Sequence, residues 1–74
     1  MLPDFERKLL RIMYNYAAKY RKMPSMIELQ RLTGRSHAED IRAALLVLEK
    51  ERYILWENQS DIQRITILEG WERS

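Results

Sequence analysis

The segment PSMIELQRLTGRSHAED, residues 24–40, carries Ser-x-x-Glu twice, at Ser25/Glu28 and at Ser36/Glu39, with Gly34 between the copies. In a capping box the Ser side chain accepts from the third helical N–H while the Glu reaches back to the cap's own N–H, so each copy marks a helix start. Two helices therefore meet within a few residues of Gly34, whose missing Cβ suits the left-handed position that ends the first of them. A chain constrained in this way must fold around a tight helix-turn-helix corner.

The flanking sequence supplies what packs on that corner. Phe5, Leu9, Ile12, Met13, Tyr16 and Tyr20 fall at offsets of 0, 4, 7, 8, 11 and 15, one stripe at helical period, which predicts a helix over about 4–20. RKMP follows as an extended connector, because the residue before Pro24 is pushed out of the helical region. A second helix is expected over about 25–33, with Ile27, Leu29 and Leu32 facing inward, and a third over about 37–51, burying Ile41, Ala44, Leu45 and Leu48. Past Tyr53 the pattern changes. YILWE and IQRITIL are rich in β-branched and aromatic residues around the polar NQSD, which predicts a hairpin over about 53–68.

Three helices followed by a β-hairpin, with the second and third helices joined by a short turn, describe a winged helix-turn-helix, a small α+β domain filling residues 1–74. A two-stranded hairpin is marginal alone, so its apolar side is expected to lie against the helices.

The 74 residues suffice for one domain with a small core. There is no Cys, so disulfides, thiolate metal sites and nucleophilic Cys chemistry are excluded. The longest apolar run, AALLVL at 43–48, is far below the roughly 20 residues that cross a bilayer, and the start lacks a signal-peptide pattern. A soluble, cytoplasmic protein with no membrane partner is the expectation. Net charge is +2, but residues 1–35 carry +5 and residues 36–74 carry −3. The first half thus supplies the positive field that phosphate binding needs.

Catalysis is not expected. Two Gly and one His build neither a phosphate-cradling loop nor a nucleophile with its base, and Glu39 and Asp40, adjacent on a helix, diverge by about 100°. No metal and no cofactor is expected.

The run MPSMIELQRLTGRSHAEDIRAALLVLEKERYI followed by RITIL resembles the N-terminal DNA-binding domain of LexA-type SOS repressors, whose pattern has Pro-Pro-Ser at the second helix, Gly in the turn and Leu-Glu-x-x-Gly-x-Ile closing the third. The likeness covers roughly residues 5–68. Arg52 stands where that pattern has Gly, at a cost of about 1 kcal/mol for a left-handed residue. Nothing here corresponds to the repressors' self-cleavage domain, so no autoproteolysis is expected.

The resemblance implies that the third helix enters the major groove of double-stranded DNA amino end first, with Ser36, His37, Ala38, Glu39, Asp40, Arg42 and Ala43 placed to read base edges. Ser25 and the first turn of its helix would face a phosphate. Arg35 would add backbone contact, and the tip at 58–61, with Arg64 behind it, would lie along the neighbouring backbone or minor groove. A homodimer is expected, because one module of this size contacts too few base pairs to be selective; the segment LEGWERS, residues 68–74, is the candidate for joining the copies.

A plainer role stands beside each assignment. Ser25 and Ser36 serve as caps with or without DNA, Glu39 completes a capping box, His37 is a solvated side chain, and Trp56 and Trp71 are packing residues rather than a base-stacking platform. The outward face of the third helix also carries Ala43 and Leu46 with Val47 on its flank. That apolar strip, with Trp71, defines the alternative: a winged helix that binds a protein partner, as an anti-repressor or adaptor.

Overall fold

A computed structural model describes residues 2–71. Three helices, α1 (Asp4–Tyr20), α2 (Met26–Thr33) and α3 (Ala38–Lys50), precede strands β1 (Ile54–Trp56) and β2 (Ile65–Ile67). The strands form an antiparallel pair with Ile54 opposite Ile67, Leu55 opposite Thr66 and Trp56 opposite Ile65. This is the winged helix-turn-helix layout.

Local chemistry sets each boundary. Asp4 and Glu6 lie in the first turn of α1 and Lys19 in its last, matching the helix dipole. Arg21 ends the helix at φ 59°, its N–H donating to the Ala17 carbonyl at 2.8 Å. Ser25 caps α2, its Oγ accepting from the Glu28 N–H at 3.1 Å; the Glu28 carboxylate turns to Arg31 at 2.6 Å instead of back to the cap. Gly34 closes α2 at φ 76°, donating to the Gln30 carbonyl at 3.0 Å.

The second capping box does not form. His37 occupies the N-cap of α3 without a side-chain bond, and Asp40 N–H is taken by the His37 carbonyl at 3.1 Å. Ser36 lies one residue too early. Its carbonyl accepts from Gln30 Nε2 at 2.8 Å, which ties the corner together from the α2 side. At the other end, Tyr53 N–H donates to the Leu48 carbonyl at 2.9 Å and Arg52 N–H to the Glu49 carbonyl at 3.0 Å, a Schellman pair. The left-handed residue between them is Arg52, at φ 64°, as the pattern of the closing segment implied.

Leu9, Leu10 and Met13 of α1, Leu29 of α2, and Ile41, Ala44, Leu45 and Leu48 of α3 form the core, closed by Tyr53, Ile54, Trp56 and Ile65. Two of the three residues expected to face inward from α2 do not. Ile27 is 74% exposed and Leu32 is also at the surface. At about 100° per residue, Ile27 points nearly opposite Leu29, and the inward line of this short helix is instead Met26, Leu29 and Thr33. Thr33 is buried with its hydroxyl satisfied, donating to the Leu29 carbonyl at 2.6 Å.

The paired strands are shorter than the 53–68 hairpin expected from composition, because Ile62–Arg64 forms a 3₁₀ turn. Asp61 caps that turn, its Oδ1 accepting from Gln63 N–H at 3.0 Å. Trp56 is tied to the start of that turn: its side chain is buried and Nε1 donates to the Asp61 carbonyl at 3.2 Å. The hairpin is therefore held to the helices by Ile54, Trp56 and Ile65, and its tip projects beside α3.

Candidate nucleic-acid interface

The residues of α3 divide by side. Ile41, Ala44, Leu45 and Leu48 are buried, whereas residues 35–40 together with Arg42 and Ala43 are exposed. Ser36, His37, Glu39, Asp40, Arg42 and Ala43 thus form one continuous exposed amino end. The Glu39 carboxylate, expected to reach back to a cap, makes no hydrogen bond among the described residues.

Both cations of this end are held by aromatic rings. The Arg35 guanidinium lies 4.1 Å from the centroid of the Phe5 ring and 3.8 Å from an Asp40 carboxylate oxygen. One of the two carboxylates at the end of the helix is thereby partly offset. Arg42 lies over the Trp56 ring at 5.3 Å and donates through Nη1 to the Gln59 carbonyl at 2.9 Å. Gln59 in turn donates through Nε2 to Glu49 at 2.9 Å, so α3 grips the wing tip at two points one helical turn or more apart.

The tip itself is a compact polar turn. Asn58 Oδ1 accepts from Ser60 N–H at 3.0 Å and from Ser60 Oγ at 2.7 Å, and Asp61 N–H donates to the Asn58 carbonyl at 2.9 Å. Ser25, Arg42, Trp56 and residues 59–61 line one cleft of about 290 Å³. The start of α2, the exposed amino end of α3 and the wing are therefore brought to one place. Arg64 is exposed and 3.9 Å from Asp61 but does not line the cleft. Ser25 is exposed, with its hydroxyl already engaged by the Glu28 N–H. Arg31 is held by Glu28, whose hydrogen bond and charge raise the guanidinium pKa further above its ordinary value.

The strip proposed for a protein partner is divided. Leu46, 38% exposed, lines a shallow depression of about 360 Å³ with Leu55 and Leu68, while Val47 is half-buried against the core and Ala43 stays exposed. Trp71 does not line this depression. Its ring lies 3.4 Å from the Arg11 guanidinium on α1, and the same Arg11 donates to the Gly70 carbonyl at 3.1 Å. Residues 72–74 of the segment considered for dimerisation lie outside the described residues.

Glu49 and Phe5 are participants that sequence reasoning missed, as are the contacts that Gln59 of the tip makes with α3. Each acts across a long stretch of chain, Gln59 on Arg42 across 17 residues, and no spacing rule signals such a contact. Among the described residues no group of three His, Asp or Glu is placed to hold a metal ion, and no helix is long and apolar enough to cross a membrane. No protein-family model matches the chain, and no curated protein is significantly similar to it.

Proposed function

We propose that this chain is a small transcriptional regulator that binds double-stranded DNA, laying the amino end of α3 in the major groove and the wing tip along the adjacent backbone. The observation that carries the reading is the joint placement of Arg42: exposed on α3, bonded to Gln59 at the wing tip, and lining a cleft with Ser25. In this reading the free N–H groups at the start of α2 receive a phosphate, Arg35 meets a second, and Arg42 turns from Gln59 to a base edge. The likeness to LexA-type repressors supports the same docking mode. Selectivity requires two copies on neighbouring half-sites, and the working location is the cytoplasm.

The test is backbone amide NMR on titration with a duplex pool of random sequence. Shifts concentrated at residues 25–28, 35–43 and 58–61 support the reading, and shifts confined to other surfaces refute it.

A second reading, a winged helix that binds a protein, is favoured by the depression at Leu46, Leu55 and Leu68. It separates on salt. Phosphate binding weakens linearly in log affinity against log salt, whereas an apolar contact barely responds.

A further inference from the structure

The register of the hairpin fixes which backbone groups of β2 are spare. Leu68 N–H donates to the Tyr53 carbonyl at 2.8 Å and Glu57 N–H to the Arg64 carbonyl at 3.4 Å, so residues 64, 66 and 68 face β1. Ile65 and Ile67, the alternate residues, direct their N–H and carbonyl groups to the opposite edge. The Ile65 N–H is taken by the Ile62 carbonyl. Among the described residues, the Ile65 carbonyl and both backbone groups of Ile67 have no hydrogen-bond partner.

That edge borders an open groove of about 580 Å³, faced on the far side by Ala17 and Ala18 of α1 and by the connector at Arg21 and Lys22. The volume is in the range of sites that hold a ligand. Arg21 and Lys22 are exposed cations, and neither has a carboxylate partner among the described residues. The α1 wall of the groove is made by the small side chains of Ala17 and Ala18 beside Tyr14. No residue of α3 lines the groove, which meets the cleft at Ser25 and Arg42 only through Gln63, a residue common to both.

We propose that this groove binds an extended, acidic segment of a partner protein by strand addition to β2. Three backbone hydrogen bonds, two to Ile67 and one to the Ile65 carbonyl, fix the segment as a strand. Carboxylates at its end pair with Arg21 and Lys22 and give the preference for acidic sequence.

The experiment selects a random twelve-residue peptide display library on the full chain, then measures the strongest peptide by fluorescence anisotropy and amide hydrogen exchange. Expected are peptides enriched in Asp and Glu, slowed exchange at the Ile67 amide, at least a tenfold loss of affinity in R21E/K22E, and a smaller loss in K22E alone. A thermal melt confirms that both variants fold; if R21E/K22E does not, K22E alone decides. Failure to select binders, peptides without acidic bias, unchanged affinity in the variants, or protection mapping to Leu46, Leu55 and Leu68 would each overturn the proposal. Concentration-dependent protection of Ile67 without peptide would overturn it in favour of self-pairing of β2. None of these readouts depends on DNA.

Discussion

Arg42 and Gln59 are joined by a hydrogen bond of 2.9 Å from the guanidinium Nη1 to the backbone carbonyl, which ties the exposed face of α3 to the wing tip. Arg42→Ala removes that clamp and, on the proposed docking, a cation that would meet the duplex. Amide exchange at residues 58–61 is expected to speed up, while the melting temperature changes little because the side chain is exposed. Binding to a preferred duplex should weaken by about 1–3 kcal/mol with relaxed sequence choice, whereas Arg35→Ala weakens all sequences alike. Competition assays with matched and mismatched duplexes distinguish the two.

The two Ser-x-x-Glu copies differ in what they do, and their alanine variants should differ likewise. Ser25→Ala removes a cap bond of 3.1 Å and should cost about 1 kcal/mol. Ser36→Ala removes a hydroxyl that does not cap α3 and should stay within about 0.5 kcal/mol. Urea denaturation of both variants reads the difference.

Left-handed backbone gives a pair of opposite expectations. At φ 64°, Arg52→Gly relieves a strained backbone and should stabilise by about 0.5–1 kcal/mol after the entropy cost of glycine. Gly34→Ala, at φ 76° and with open space around the new Cβ, should destabilise by about 1 kcal/mol through backbone strain alone. In a domain of this size 1 kcal/mol is about 4–8 °C of melting temperature.

Gly70 lies against Tyr14, where a Cβ would come within 2.4 Å of the ring. Gly70→Ala must therefore push the ring or the chain aside, at about 1–3 kcal/mol, and pull Trp71 from its place over Arg11. A lower melting temperature with altered tryptophan emission is the expected result.

The architecture was legible because its signals are local. Pro24 and Gly34 punctuate the helices, Ile41, Ala44, Leu45 and Leu48 mark one buried face, and the switch to β-branched residues after Tyr53 announces the hairpin. Errors arose where position within a short element decides the outcome. Ile27 matched an apolar composition but sits opposite Leu29, and Ser36 matched a motif one residue out of phase with the true cap at His37. The site was legible only as a list of exposed residues on α3. Its assembly depends on Arg42 meeting Gln59 and Trp56, and on Arg35 meeting Phe5, contacts made only once the hairpin and α1 have docked.

Whether the amino end of α3 and the wing grip a duplex is decided by a mobility-shift titration against a random duplex pool at about 50 and about 200 mM salt. The expected result is a retarded complex whose affinity falls steeply at the higher salt and which Arg42→Ala weakens. No retarded complex at 50 mM salt, or one indifferent to both salt and Arg42, would contradict it.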